Sequence, residues 1–179
     1  MELAGTRSVV RTWRRGDAAA LVRHANNVNI AKHLRDRFPH PYTERDARTF
    51  LRMVSLADDR AINLAIDVDG VAVGAIGLTR GSDVERFSAE IGYWLAEPYW
   101  GRGIVTEALS LVTGEAFDRL NILRLFALPF ADNLASARVL EKAGYAREGL
   151  LKSSAVKYGE PRDQLLFARI NETWRATRA

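Results

Sequence analysis

Short runs of alternating apolar and polar residues and runs at helical spacing follow one another along the chain. RSVVRTW, residues 7–13, reads as an opening strand. Asp17 then stands at a helix-capping position, which predicts a helix through about Ala25, with a second short helix around Ile30–Leu34. In PYTERDARTFLRMVSLA, Thr43 and Asp46 have the spacing of a capping box ahead of apolar Phe50, Leu51 and Val54, so an amphipathic helix is expected. AINLAID and VAVGAIGL, residues 61–67 and 71–78, flank a Val-Asp-Gly reversal, the pattern of an antiparallel hairpin. SAEIGYWL, residues 88–95, alternates as a further strand before a loop containing Pro98. From Ile104 to about Leu120, the positions Ile104, Ala108, Leu111, Val112 and Phe117 recur at helical spacing. ILRLFALPF, residues 122–130, reads as a strand, and in residues 131–149 a loop asparagine enters a helix that stops at Gly144 before a strand begins at Tyr145.

No repeat or low-complexity linker interrupts this order, so residues 1–179 are read as a single domain. With 47% hydrophobic and 27% charged residues, the composition is that of a globular protein, and no apolar run reaches the roughly 18–20 residues needed to cross a bilayer. The opening MELAGTRSVVRTWRRGD lacks the continuous apolar stretch of a secretory signal, so a cytoplasmic location is expected, with no membrane partner. Zero cysteines exclude disulfides, cysteine nucleophiles and thiolate metal sites. His24, His33 and His40 lack zinc-like spacing, so no metal is expected. A net charge of +4 suits a phosphorylated ligand better than a nucleic acid. Arg14, Arg15 and the arginines of the C-terminal TWRATRA read as solvated surface.

The punctuation at EPYWGRGIVTEAL, residues 97–109, changes the picture, because Gly101 and Gly103 sit in a strand-to-helix turn. The first amides of a helix lack intrahelical acceptors and carry the positive end of its dipole. Glycine adds the freedom for a ligand phosphate to approach the main chain. A tight turn serving packing alone is an equal alternative for the two glycines by themselves. The stretch lacks the third glycine of a dinucleotide fingerprint, and no GxxxxGK[ST] loop occurs in the chain.

Taken with RSVVRTWRRGDAAAL, EIGYWLAEPYWGRGIVTEAL, NLASARVLEKAGY and the late KYGEPRDQLLFA, the chain resembles the GNAT family of N-acetyltransferases over nearly all its length, in particular the branch of the ribosomal-protein N-terminal acetyltransferases. Trp100, Gly103 and Val105 occupy the positions of the family's glycine motif, with Val105 bulkier than the usual small residue. The resemblance implies an α/β fold: one mixed, mostly antiparallel twisted sheet flanked by helices, with splayed central strands. It implies acetyl-CoA in the splay as co-substrate. The pyrophosphate would lie on the turn at Gly101 and the amides of Arg102, Gly103, Ile104, Val105 and Thr106, and the pantetheine alongside Tyr93, Trp94 and Leu95. Asn133 matches the asparagine that bonds the pantetheine arm; capping the next helix is its other role.

The implied reaction is attack of a neutral amine on a thioester carbonyl. A protein α-amino group titrates near 8 and lysine near 10.4, so the former needs roughly 3 kcal/mol less help to lose its proton. Glu90 is the candidate base, with an exposed strand residue or substrate anchor as alternatives, and a main-chain amide near Trp94 the candidate oxyanion donor. Many relatives carry a tyrosine where this chain has Glu141, so Ser136 is the candidate hydrogen-bond donor to the departing sulfur. Trp94, Trp100 and Tyr93 either line the acyl channel or pack; Tyr145 is expected in the core, Asp163 in a structural role, His33 and His40 at the surface. Arg102, ahead of Lys142, is the expected cationic contact to phosphate. The leading acceptor is a protein N-terminus, with a small-molecule amine such as a polyamine or aminoglycoside second and a catalytically silent acetyl-CoA sensor third. The acceptor pocket falls to loops such as 35–45, 80–88 and 150–162, and the oligomeric state stays open, a homodimer being one option.

Overall fold

The computed structural model describes residues 1–56 and 60–175. Arg178 of the C-terminal arginines, and Ala57 at the end of the expected amphipathic helix, lie outside them. The elements run β1 (Glu2–Ala4), β2 (Val9–Arg11), α1 (Ala18–Ala25), α2 (Val28–Ala31), α3 (Glu44–Ser55), β3 (Ala61–Val68), β4 (Val71–Arg80), β5 (Ser88–Leu95), α4 (Ile104–Arg119), β6 (Arg124–Ala127), α5 (Leu134–Lys142), β7 (Ala146–Lys157) and β8 (Glu160–Ile170). They form one eight-stranded sheet in the order β1-β2-β3-β4-β5-β6-β8-β7. Every neighbouring pair is antiparallel except β5 and β6. This is the expected mixed α/β sheet.

Local chemistry explains most of the elements. Asp69 (φ 53°) and Gly70 (φ 83°) are both left-handed, the geometry that keeps a two-residue reversal in step with the right-handed twist of β3 and β4. Thr43 and Asp46 exchange the two hydrogen bonds of a capping box at the start of α3. Asp17 behaves differently from expectation. Its carboxylate makes no cap bond to α1; it accepts the Arg14 N–H at 2.7 Å, closing a 3-10 turn, and takes both Nη groups of Arg11 at 2.9 Å. Arg11 Nε donates to Asp67 Oδ2 at 2.7 Å, so one buried guanidinium ties β2, β3 and the entry to α1 together. Burial alone would raise the Asp17 pKa, but the Arg11 fork and the Arg14 N–H outweigh it and hold the carboxyl below its ordinary value.

The sheet carries helices on both faces. Ala89, Ile91 and Leu95 of β5 point into the main core with Ile104, Ala108, Leu109 and Val112 of α4 and Ala137 and Leu140 of α5. Alternation sends Ser88, Glu90, Gly92 and Trp94 to the other face, where Trp94 joins Leu21, Ala25, Phe38, Tyr42, Ala47 and Phe50 beneath α1 and α3. Each fully buried leucine, isoleucine or phenylalanine contributes about 1.5–3 kcal/mol. The positions around the middle of β5 are therefore firmly fixed.

The strand expected over 122–130 is shorter than its apolar run. β6 pairs with β5 only at Ser88–Arg124, Ala89–Leu125 and Glu90–Phe126, then ends at Ala127, and Phe130 meets β8 through an isolated bridge to Gln164. Beyond Glu90, residues 91–95 of β5 have no cross-strand pair on that side among the described residues. The sheet is split there, as the resemblance implies.

Candidate active site

The split leads directly into the glycine turn. After β5, a 3-10 turn over Glu97–Tyr99, with Pro98 inside it, brings the chain to Gly101 and Gly103, whose φ values of 74° and 75° are left-handed. Only glycine adopts that conformation without strain. Gly103 is the residue before α4, and its carbonyl accepts the Glu107 N–H at 3.0 Å. Among the described residues no acceptor meets the N–H groups of Gly101 to Thr106. A Cβ on Gly101 would stand in open space. Val105 turns its side chain into the main core, so its bulk does not face the turn. Arg102 is exposed, its guanidinium 5.4 Å from the centre of the Tyr99 ring. These donors suit an anion such as a pyrophosphate.

Glu107, one turn into α4, fixes the neighbourhood of this turn. Its carboxylate accepts the N–H groups of Thr6, Arg7 and Ser8 at 2.9, 2.9 and 3.1 Å and the Thr6 hydroxyl at 2.7 Å. Burial opposes its charge, but these donors prevail and lower its pKa to about 2. The clamp lays Arg7 beside Gly103, with Nε 3.3 Å from where a Cβ on that glycine would lie. The sequence reading missed Arg7, because nothing local links it to a turn nearly a hundred residues away.

The open side of β5 presents polar backbone. The Ala96 N–H donates to Val73 O at 2.8 Å, and ladder alternation from that bond turns the polar groups of Trp94 toward β4 and those of Tyr93 and Leu95 toward the split. The amide facing the split is thus that of a neighbour of Trp94. The Leu95 carbonyl already accepts the Trp100 Nε1–H at 2.7 Å. Across the gap, Asn133 caps α5 by accepting the Ser136 N–H at 3.1 Å, and no acceptor meets its Nδ2 among the described residues. The Tyr93 hydroxyl lies 2.9 Å from Ser136 Oγ, joining β5 to α5. Burial pushes the Tyr93 pKa well above the ordinary phenol value, so Tyr93 keeps its proton and can donate to Ser136, leaving the serine O–H to point elsewhere. The contact with Ser136 was not foreseen: Tyr93 entered the sequence reading as a neighbour of the pantetheine and as a channel or packing residue.

Glu90 lies on the opposite face of β5 from Tyr93, three residues away, so Glu90 and Ser136 are on either side of the strand and do not touch. Glu90 lines an open cleft of about 300 Å³ with Thr79, Arg80, Glu85, Arg124 and Phe126. Its carboxylate is paired with Arg35 Nη2, from the segment between α2 and α3. Arg35 in turn lines a second cleft of about 250 Å³ with His33, Asp36, Phe130, Lys157 and Gln164. Lys157, buried, donates to Asp36 Oδ1 at 2.8 Å. The segment carrying Arg35 and Asp36 is thereby pinned both to β5 and to the end of β7. His33, expected at the surface, is half-buried with Nδ1 enclosed and unpartnered; burial chiefly pushes its pKa below the ordinary imidazole value, the Asp132 charge opposing. His40 is exposed.

Tyr145 is in the core, its hydroxyl 2.7 Å from Thr113 Oγ1. Asp163 accepts the Ser153 N–H at 2.7 Å, holding the β7–β8 hairpin. Glu141 and Lys142 are exposed on α5. Among the described residues no helix is long and apolar enough to cross a membrane, and no group of three metal-ligating side chains converges.

Known proteins share this architecture. The chain is 34% identical over 128 residues to the "Probable N-acetyltransferase YjcK" of Bacillus subtilis, covering 72% of this chain and 65% of that protein. It is 32% identical over 98 residues to the ribosomal-protein-serine acetyltransferase of Escherichia coli, covering 55% of this chain and 54% of that enzyme. The alignments thus span less than two thirds of either relative. The structure of Mycobacterium smegmatis RimJ in complex with CoA-disulfide superposes with a TM-score of 0.87 at 26% identity, covering 96% of this chain and 88% of that one. A family model described as "Acetyltransferase (GNAT) domain" matches residues 7–146, which take in the split strands, the glycine turn and the helix that Asn133 caps, and the chain belongs to that family.

Proposed function

We propose that the protein is an acetyl-CoA-dependent N-acetyltransferase whose acceptor is the N-terminal α-amino group of a protein or peptide. The observation that carries this reading is the unpaired edge of β5 running from Glu90 into the unpartnered N–H groups of Gly101 to Thr106. The donor set fits a molecule with an amide-rich arm and a diphosphate end. Acetyl-CoA supplies an acetyl group activated as a thioester. Gly101, Arg102, Gly103, Ile104, Val105 and Thr106 would hold its diphosphate by main-chain donors, Tyr93, Leu95 and Asn133 its arm. Edge-on pairing of this kind is directional and needs no side-chain specificity.

Glu90 takes a proton from the acceptor ammonium, directly or through water, and passes it to solvent, exposing the nitrogen lone pair. A main-chain N–H on the open side of β5, at Tyr93 or Leu95, stabilises charge on the carbonyl oxygen. Ser136, receiving the Tyr93 hydroxyl's hydrogen bond, offers its own O–H to the sulfur as it leaves, and the second amine proton ends on that sulfur. Glu90 and Ser136 act from opposite faces of one strand, which suits an acceptor and a departing thiol on opposite sides of the reacting carbon.

The acceptor cleft favours a peptide over a polycation. Its acids Glu85 and Glu90 face Arg80 and Arg124, Arg124 being paired with Glu148 and Glu90 with Arg35, so the charges around it cancel. A pocket of that charge has no excess attraction for spermidine or an aminoglycoside. The test is free-thiol release from acetyl-CoA with N-terminal peptides, spermidine and an aminoglycoside as acceptors. Peptide-dependent release is expected; release only with the small amines would move the acceptor to that class. Cofactor binding without release for any amine would favour a sensor.

A further inference from the structure

We infer that Arg35 selects acceptor peptides carrying a carboxylate side chain one or two residues behind the amino terminus. The inference rests on the reading of Glu90 as the group that takes the acceptor's proton.

Glu90 cannot serve the acceptor while fully engaged by a guanidinium. Arg35 stands where an ammonium would approach the carboxylate. Arg35 must therefore shift. The pair is suited to exchange, with 56% of the Arg35 side chain and 32% of Glu90 exposed, the regime in which an ion pair contributes little to stability.

What Arg35 meets after release decides specificity. It lines the second cleft, where Asp36, the one carboxylate among the described lining residues, is held by buried Lys157 at 2.8 Å. His33, Ser154 and Gln164 on the same wall carry no negative charge. Asp132, whose charge reaches His33, is itself paired with Arg162, so among the described residues the cleft offers Arg35 no unpaired carboxylate. An acceptor with a neutral second residue leaves Arg35 on Glu90. An acceptor carboxylate can replace Glu90 as the partner of Arg35, while the acceptor ammonium replaces Arg35 as the partner of Glu90. The exchange conserves both ion pairs and frees the base in the same motion. Because Arg35 and Glu90 touch, the two acceptor groups must lie close together. An extended chain advances about 3.5 Å per residue, which limits the carboxylate to the second or third residue. Lysine or arginine at those positions would instead repel Arg35 and Lys157.

The experiment compares kcat/KM for otherwise identical peptides with aspartate, asparagine or lysine at the second or third residue. Aspartate is expected to exceed asparagine about tenfold, and lysine to rank lowest. Arg35→Gln should bring the aspartate-to-asparagine ratio to within about twofold, and Arg35→Lys should retain most of it. Thermal unfolding of the variants checks that they fold. A wild-type ratio near one, or a preference that survives Arg35→Gln, overturns the inference even if peptides are good acceptors. Inert peptides beside acetylated spermidine overturn it together with the N-terminal reading.

Discussion

Among the arginines that hold carboxylates in this protein, Arg11 and Arg35 do opposite things. Arg11 is buried, with its side chain 3% exposed, and is held by both oxygens of Asp17 and by Asp67. Arg35 meets one carboxylate, Glu90, at the junction of two open clefts. Burial makes the first network irreplaceable, since water cannot take the place of any partner, whereas solvent at the second offers each partner an alternative at little cost. The same chemical pair is structural cement in one place and an exchangeable contact in the other.

The sharpest way to break this comparison is to delete each arginine. Arg11→Leu strands Asp17 and Asp67 in the core and should destabilise the fold by about 3–5 kcal/mol, read from denaturant unfolding; Arg35→Leu should change stability by less than about 1 kcal/mol. Glu90→Gln should lower kcat by about a hundredfold or more while leaving acetyl-CoA affinity and unfolding midpoint unchanged, which a stopped assay and a binding titration would separate. Gly103→Ala forces a Cβ into a left-handed residue beside Arg7 and should weaken acetyl-CoA binding several-fold, with a stability cost of about 1–2 kcal/mol. Acid sharpens the contrast further. Asp17 and Glu107 have folded pKa values below their unfolded ones, so their stabilisation is present above the ordinary carboxylate range and is lost as pH falls through it, for Glu107 between about 4.5 and 2. The Arg11→Leu variant should lose the Asp17 part of that acid dependence. The smallest effect belongs to the exposed pair Arg48–Glu44 on α3, where Arg48→Ala should cost about 0.3–0.5 kcal/mol at most.

How much of this was readable in the sequence depends on the range of the interaction. The Asp69–Gly70 reversal, the capping box at Thr43 and the span of β5 were legible, because each is set by residues within a few positions. β1 escaped notice, since three residues of Glu2–Ala4 carry too little pattern and form a strand only by pairing with β2. Asp17 was read as a cap because its sequence position fits one; the competing partner, Arg11, wins by being buried and doubly bonded. In the site, the glycine turn was legible and its surroundings were not. Arg35 and Glu90 are 55 residues apart, Tyr93 and Ser136 43 apart, and Arg7 and Glu107 100 apart. No spacing rule connects such pairs; the sheet order does. Even the split in the sheet came from family likeness, not from periodicity, for the apolar run of 122–130 continues past the point where pairing stops.

Among the described residues, three residue pairs, Ser88 to Glu90 against Arg124 to Phe126, and the bonds of the Leu123 and Arg124 N–H groups to Phe87 O stitch the β1–β5 half of the sheet to the β6–β8 half. A seam so short is the weakest line through the backbone, and its slow amide exchange should depend on whatever spans the gap. A guest laced to both margins would act as a missing strand, adding RT ln(1 + [L]/Kd) to the unfolding free energy, about 2.7 kcal/mol at a hundred times Kd. Occupancy and rigidity would then rise together, and the filled protein would be a stiffer object than the empty one.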